Sequence, residues 1–456
     1  MRSLHAKKAL TPTGWRDNVR LTIEHGVFSG IETDVVAESE DERAAWAIPG
    51  LGNLHSHAFQ RAFAGLTERR GEAQDNFWSW REQMYRFALA LEPEDVAAIA
   101  GLAYVEMLEA GFTRVGEFHY LHHAPDGAAY DDIGELSARI AEAAAGTGIG
   151  LTLLSVFYAH ANFGGAPANA GQRRFVNDLA SFARLFARAH EIISQIDGGK
   201  LGLAPHSLRA TTPEEIDALV ALAAGRPLHI HVAEQTAEVE SSLQVLGARP
   251  VEFLLERFEV NSRWCAIHAT HMTAEETRRL AASGAVAGLC PITEANLGDG
   301  VFPAREFLDA GGRFGVGSDS NVAIDLAGEL RLLEYGQRLT RRERNVFAPA
   351  GGSTARALFE GALAGGAQAL GLASAGFVVG ADADIVTLSA EALEPYDHPD
   401  DALAGWIFTR ARPIDRVYAR GRLVVQNGRH PGRERANDRF SGALRALAAR
   451  APEKRA

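Results

Sequence analysis

Short apolar runs alternate with amphipathic stretches through the middle of the chain. Eight of the runs predict strands, at residues 47–57, 114–120, 150–158, 201–206, 227–234, 263–270, 285–291 and 313–320. Each is nearly all apolar rather than alternating, the pattern of parallel strands covered on both faces. Helical stretches follow several of them with clear boundary signals. Thr212-Pro213-Glu214-Glu215 supplies an N-cap, a proline at the first helical position and acids in the first turn, and Gly225 closes that helix. Thr273-Ala274-Glu275-Glu276 fits a capping box, with Gly284 as its stop. Residues 92–110 carry Val96, Ile99, Ala103, Met107 and Leu108 at helical spacing before Gly111.

Eight strand-then-helix units predict an α/β fold, a (β/α)8 TIM-type barrel over residues 49–372. A doubly wound open sheet is the competing architecture. The ends of the chain differ from its middle. Residues 18–31 alternate apolar and polar positions around His25-Gly26, and 377–388 and 416–427 repeat that character with glycine turns. Residues 1–48 and 373–456 are therefore expected to form a small flanking β-sandwich from both termini. Its charged, alanine-rich tail, 433–456, reads as a terminal helix that frays.

Composition narrows the function classes. The chain has 456 residues, 46% of them hydrophobic, which is enough for a sizeable core. A formal net charge of −12 argues against general nucleic-acid or anionic-membrane binding, which call for a basic surface. No run of about 18 apolar residues is present and the N-terminus lacks a signal-peptide core, so a cytoplasmic protein is expected. Cys265 and Cys290 both lie in apolar runs and read as small buried hydrophobes rather than redox groups.

Active sites of such barrels lie at the C-terminal ends of the strands. Strand one ends in His55-Ser56-His57, strand five in His231 and Glu234, strand six in His268, and strand eight in Asp319 between two serines. A His-x-His on a strand puts both imidazoles on one face of the pleat. Taken singly, each residue has a blander reading. A lone strand-end histidine is more often a satisfied polar residue than a ligand, Asp319 suits a turn or cap, and Glu234 an ordinary loop. His229 shares a face with His231 and competes for the ligand role. Together on one barrel face, a His-x-His, a third histidine and an aspartate make an open zinc-type site. Such a site belongs to a hydrolase that activates water.

These residues resemble the amidohydrolase superfamily, whose usual architecture is a barrel with a flanking β-sandwich. The resemblance implies His55, His57, His231 and Asp319 as metal ligands. It favours His231 over His229, because the spacing to Glu234 resembles the His-x-x-Glu of the deaminase branch. Binuclear members bridge two ions with a carboxylated lysine, commonly at the end of strand four. Here that strand ends in Pro205-His206, and none of the four lysines (Lys7, Lys8, Lys200, Lys454) stands at a strand's C-terminal end. One divalent ion is implied, zinc first, with iron and manganese compatible with the same ligands. A wider set of motifs resembles the formimidoylglutamate deiminases, bacterial enzymes of histidine degradation. These are His57-Ala58-Phe59-Gln60-Arg61-Ala62-Phe63-Ala64-Gly65-Leu66, Phe77-Trp78-Ser79-Trp80-Arg81, Gly116-Glu117-Phe118-His119-Tyr120, Ala204-Pro205-His206-Ser207-Leu208-Arg209 and Cys290-Pro291-Ile292-Thr293-Glu294-Ala295-Asn296-Leu297-Gly298-Asp299-Gly300.

That resemblance implies hydrolysis of N-formimidoyl-L-glutamate to N-formyl-L-glutamate and ammonia. A water whose pKa zinc lowers from 15.7 to about 7 would attack the formimidoyl carbon. Asp319 is the first choice to take the water's proton with His268 assisting, and Glu234 to protonate the departing nitrogen. Stabilisation of the tetrahedral intermediate by His268 stays open as an alternative. Two substrate carboxylates call for arginine forks. Arg81 and Arg209 are the candidates, with Gln60, Tyr120 and His206 as further donors, against the blander reading of surface salt bridges. Arg81 falls in a long loop after strand one that could serve as a lid. The competing functions are a deaminase of a purine, pyrimidine or triazine ring, a non-catalytic scaffold on the same fold, and a metal buffer. The arginines count against the first, the complete ligand set against the second, and Glu234 with His268 against the third. The expected partner is a small-molecule diacid, with no nucleic acid and no membrane, and a homodimer by analogy with the family.

Overall fold

Four strands open the chain: β1 (Arg2–Thr11), β2 (Gly14–Glu24), β3 (Val27–Glu32) and β4 (Glu42–Pro49). β2 and β3 meet at His25-Gly26, whose φ angles of 50° and 80° give the two-residue hairpin turn that the alternation around this pair predicts. The computed structural model describes residues 2–70, 75–393, 396–409 and 413–450. Eight further strands form the barrel: β5 (Leu51–Ser56), β6 (Phe112–His119), β7 (Gly150–Phe157), β8 (Lys200–Pro205), β9 (Leu228–Val232), β10 (Trp264–His268), β11 (Val286–Leu289) and β12 (Arg313–Val316). Three more, β13 (Ile385–Leu388), β14 (Ile414–Ala419) and β15 (Arg422–Gln426), return to the first sheet.

The barrel strands lie side by side in chain order, all parallel. Every position of β6, β7, β9, β10 and β11 is buried, which explains the unbroken apolar runs in the sequence. One expected strand is corrected. Residues 47–57 do not form a single strand, because 47–49 end β4 in the other sheet and only Leu51–Ser56 enters the barrel. The change of sheet happens at Gly50, where a Cβ would lie 2.2 Å from the Thr113 side chain. Glycine alone passes there, and the apolar residues on either side hide the break.

The capping signals are realised. Thr212 Oγ1 accepts from Glu215 N and Thr273 Oγ1 from Glu276 N, each within a capping box, starting the helices Pro213–Ala223 and Ala274–Ser283. The first of these already turns left-handed at Ala224, one residue before Gly225. Part of the stretch expected as a loop is instead the helix Phe77–Ala88, capped by the Asn76 side chain, so Arg81 stands on a helix. The tail helix, Arg433–Arg450, is held rather than frayed. Arg433 pairs with Glu109 at 2.8 Å and Arg450 with Asp95, both on the helix Pro93–Ala110, while Leu447 is buried. Residues 451–456 lie outside the described ones. No helix among the described residues is long and apolar enough to cross a membrane.

The flanking domain is one continuous sheet, ordered β15-β14-β13-β4-β1-β2-β3. It folds over on itself, since Phe28 N donates to Ala381 O at 3.0 Å and Gly380 N to Phe28 O at 2.8 Å, joining β3 to the segment before β13. Leu4, Val19, Leu21, Phe28, Ile385 and Tyr418 pack inside this fold-over. The sheet is tied to the barrel by the buried Arg114 of β6, which pairs with Asp382 at 3.0 Å, and by Thr113 Oγ1, which donates to Asp384 at 3.0 Å. Burial pushes the Asp384 carboxyl up to about 6.

The barrel seam, between β12 and β5, is held differently from the other strand pairs. Just beyond β12, Asp319 N donates to His55 O and His57 N donates to Asp319 O, both at 2.9 Å. The helix Thr354–Ala369 seals the seam from behind, and its Gly365 is seated on β12 so closely that a Cβ would lie 1.9 Å from Phe314 O. Gly365→Ala should therefore cost about 1–3 kcal/mol by overpacking, read as a lowered urea midpoint. A midpoint equal to wild type would mean that this helix is not seated on the strand.

Candidate active site

The strand ends that carry chemistry share an unusual backbone. Ala233, His268, Ala269, Asp319 and Asn321 are non-glycine residues with φ between 46° and 67°. Such conformations cost about 1–3 kcal/mol each and persist where the surroundings over-determine them. The surroundings here are buried side chains. Asn321 Nδ2 donates to Ser56 Oγ, His57 O and Asp319 O, each at 3.1 Å. Ser318 N donates to Asn53 Oδ1 at 3.0 Å and Asn53 Nδ2 to Ser318 Oγ at 2.6 Å. Glu238 accepts from Ala233 N and Glu234 N, both at 3.1 Å. Glu294 accepts from Cys290 N at 2.9 Å, and Glu117 from Ala58 N at 2.7 Å.

Around this frame His55, His57 and His231 bring ring nitrogens within 4.8 Å of one another. Asp319 Oδ1 lies 3.3 Å from His57 Nε2 and 3.5 Å from His55 Nε2, and His231 Nε2 lies 3.1 Å from His55 Nε2. The tautomers follow from the outer partners. His57 Nδ1 donates to Phe118 O and His231 Nδ1 to His206 O, each at 3.0 Å, and a carbonyl only accepts. Both Nε2 lone pairs are therefore bare and face inward. Burial holds His55 down to about 3 and lowers His57 and His231, so the three imidazoles are neutral, the form that binds metals. Burial acts to raise Asp319, but hydrogen bonding from His55 and the positive charge of nearby His268 outweigh it and hold the carboxylate low. Converging lone pairs around a carboxylate, out of water, are repulsive unless a cation lies among them. The donor set fits a divalent ion.

His229, the rival candidate, lies apart from the cluster. Its Nε2 donates to Ala369 O at 2.8 Å, away from the cluster. Lys200 opens β8 and Pro205 closes it, leaving no lysine beside the histidines among the described residues. Cys290, read as a plain hydrophobe, sits with its thiol near His268 and Asp319. Burial pushes that thiol up, so it stays protonated.

Beside the histidine cluster lie the groups that can move protons. His268 Nε2 is 3.7 Å from Glu234 Oε1 and 3.8 Å from Asp319 Oδ2, while its Nδ1 meets Glu294 Oε1 at 3.2 Å. Burial would lower His268, but the three carboxylates prevail and raise it to about 10. Burial raises Glu234 to about 7, against the opposing pull of His268 and Arg209. Arg209 Nη2 is 3.6 Å from Glu234 Oε2.

One cavity of about 620 Å³, counting space open to solvent, connects these groups with Gln60, Arg81, Tyr120, His206 and Arg209. Every substrate-contact candidate from the sequence thus lines it. The Arg81 guanidinium stacks 4.4 Å from the Trp78 ring, and Arg209 lies 5.8 Å from the same ring. Nε of both arginines and Oε1 of Gln60 are buried without a hydrogen-bond partner among the described residues. Gln60 Nε2 donates to Tyr120 OH at 2.8 Å. Several cavity residues were not foreseen. Tyr158 directly follows β7, so a search of strand ends for phenols as well as for metal ligands finds it. Tyr85, on the helix Phe77–Ala88, carries no such signal. Asp299, from the 290–300 motif and outside the cavity lining, hydrogen-bonds Gln235, and burial raises its carboxyl to about 9.

Comparison with known proteins gives the following. Residues 46–424 match the family model described as "Amidohydrolase family", and residues 1–45 match "Formimidoylglutamate deiminase HutF, N-terminal domain". The formimidoylglutamate deiminase of Pseudomonas aeruginosa is 48% identical over 97% of this chain and 99% of its own. A 5-methylthioadenosine/S-adenosylhomocysteine deaminase of Natronomonas pharaonis is 31% identical over 85% of this chain and 83% of its own. The crystal structure of an amidohydrolase from Brucella melitensis, 54% identical, superposes with a TM-score of 0.96 over 98% of this chain and 100% of its own.

The grip of Glu238 on the turn before Glu234 can be measured directly. Glu238→Ala leaves two buried amides without an acceptor, at about 1–3 kcal/mol each. A loss of at least about 2 kcal/mol in urea unfolding is expected on that basis. A smaller loss would mean that water or another side chain takes over both amides.

Proposed function

The chain belongs to the amidohydrolase family and, within it, to the formimidoylglutamate deiminases, and from that membership we propose how its residues act. It hydrolyses N-formimidoyl-L-glutamate to N-formyl-L-glutamate and ammonia, a step of histidine degradation, working on a free diacid in the cytoplasm. The observation that carries this reading is one cavity lined by His57, His231 and Asp319 of the donor cluster, by the Glu234–His268 pair and by two guanidiniums with open hydrogen-bonding capacity.

His55, His57, His231 and Asp319 would hold one divalent ion, zinc by their chemistry, which when bound supplies an activated water of pKa about 7. Asp319 Oδ2, turned toward His268 rather than toward the histidine cluster, takes the proton as the C–O bond forms. His268, oriented through Nδ1 by Glu294, presents Nε2–H to the charge that develops on that oxygen. Glu234, raised by burial into the neutral range, gives its proton to the terminal nitrogen of the formimidoyl cation; as the C–N bond breaks the hydroxyl proton returns to Glu234, the carbonyl forms, and ammonia leaves with the proton that Asp319 held. Arg81 and Arg209 take the carboxylates, helped by Gln60, Tyr120 and His206. Binding and proton delivery are linked through Arg209. A substrate carboxylate that engages this guanidinium weakens its pull on Glu234, which raises Glu234 further and readies it as an acid.

Purified protein should release one ammonia per N-formimidoyl-L-glutamate, lose that activity to a chelator and regain it with one equivalent of zinc. Activity confined to a purine, pyrimidine or triazine would overturn the substrate, and a requirement for two equivalents would overturn the single ion. Glu234→Gln should lower kcat by about 10²–10⁴-fold, the usual worth of a general acid, with metal content unchanged. A near wild-type rate would remove Glu234 from proton delivery.

A further inference from the structure

Behind the arginines the cavity wall holds a hydrogen-bonded group to which no role has yet been given. Gln172, fully buried in a short turn at Ala170–Gln172, donates from Nε2 to Tyr158 OH at 2.6 Å and to Tyr85 OH at 3.2 Å. The direction of its amide is set by the backbone. Asn169 N donates to Gln172 Oε1 at 2.8 Å, so the oxygen is committed to that amide and the nitrogen must face the phenols. Both tyrosines line the cavity, and both are buried. The Arg81 guanidinium lies 5.6 Å from the Tyr85 ring, while His206 packs edge-on to Tyr158 with ring centres 4.7 Å apart.

Counting hydrogens gives the group a polarity. The amide donates both of its hydrogens to the two phenol oxygens, leaving two phenolic hydrogens to place. The hydrogen bonds at the two phenol oxygens are those received from Gln172, and the phenols can share at most one hydrogen between them, so at least one is left without an acceptor among the described residues. A buried hydroxyl hydrogen without a protein acceptor, next to two guanidiniums with unpaired Nε atoms, is a donor site for an anion.

We infer that Gln172 is a positioning residue that fixes Tyr85 and Tyr158 as hydrogen-bond donors to one carboxylate of the substrate. Resting on the proposed diacid substrate, this assigns part of the enzyme's selectivity to a residue outside the metal and proton machinery. The peptide N–H of Asn169 points the Gln172 oxygen away from the cavity, Gln172 caps the phenol oxygens from behind, and the phenolic hydrogen is left to face the ligand. A carboxylate, which only accepts, fits this arrangement; a ring nitrogen bearing hydrogen or an amide N–H does not.

The test uses steady-state kinetics on three compounds: N-formimidoyl-L-glutamate, and the N-formimidoyl derivatives of 4-aminobutyrate and of L-2-aminobutyrate, each lacking one carboxylate. Gln172→Met, close to it in volume, should raise KM for the diacid about 10-fold or more, the worth of a hydrogen bond to a charged group, with kcat within about 3-fold on the same reasoning. The penalty should vanish for one of the two monoacids, the one whose missing carboxylate is the group the phenols hold. Tyr85→Phe with Tyr158→Phe should reproduce the effect, and adding Gln172→Met to that pair should cost nothing more. An unchanged KM, an equal penalty on all three compounds, or full additivity overturns the assignment. If Gln172→Met fails to fold, the phenylalanine pair, which keeps Gln172, decides by the same comparison of diacid and monoacids. A wild-type chain inactive on N-formimidoyl-L-glutamate overturns the proposed function and this inference with it. An active wild type beside a Gln172→Met of unchanged KM overturns this inference alone.

Discussion

The barrel is closed by the residues that form its histidine–aspartate cluster. Between the first and last strands the ladder reduces to two backbone hydrogen bonds among the described residues, and both belong to His55, His57 and Asp319. Closure of the fold and convergence of these donors are thus one event. A shift of either edge strand moves imidazole and carboxylate apart together, so the packing of the helix Thr354–Ala369 behind the seam acts on site geometry as directly as any ligand contact. Sites need about 0.5 Å precision to function, and rigid elements supply it better than loops. Here the rigid element is the seam itself, reinforced by Asn53, Ser318 and Asn321.

A second constraint is the left-handed backbone of the catalytic turns. Five non-glycine residues at strand ends occupy a region that costs about 1–3 kcal/mol apiece. Hydrogen bonds to charged groups are worth about 1.5–3 kcal/mol each, the same size. Glu238 makes two such bonds to the Ala233–Glu234 turn, while Glu294 holds both Cys290 N and the His268 ring. The buried glutamates around the site therefore divide into two kinds. Glu234 faces the cavity with its carboxyl raised by burial, whereas Glu238 and Glu294 spend their oxygens on backbone amides and the imidazole and keep the turns in place.

How much of this the sequence reveals depends on whether the determinant is local. The barrel strands are legible because burial on both faces leaves unbroken apolar runs, and helix starts because a cap needs only four residues. Strand β1 is not, since Lys7 and Lys8 interrupt its pattern and its pairing with β4 is non-local. The break at Gly50 is hidden because the residues on both sides are apolar and the obstacle, Thr113, stands 63 positions away. Strand periodicity places His229 and His231 on one face but says nothing of depth, and depth separates them, one meeting Ala369 O and the other the cluster. Motif likeness names Arg81 and Arg209, while the phenols that share their wall stay unseen because Gln172, which joins them, comes from a different loop.

The charge of the chain and the charge of its ligand pose an apparent conflict. A protein of net charge −12 repels an anion at long range. At physiological salt the Debye length is about 8 Å, so the repulsion from most of the surface is screened before the ligand reaches the cavity. Inside, out of water, screening is weak and the nearest groups decide. Arg209 and Arg81 pack on the face of Trp78, which offsets part of their mutual repulsion, and Glu234 and Glu238 help keep Arg209 charged despite its burial. An incoming carboxylate must therefore compete with Glu234 for a guanidinium, and forming a bidentate pair is how it can win. The acidic surface excludes polyanions that would need many contacts outside the cavity. It does not exclude a small diacid that makes all of its contacts within it.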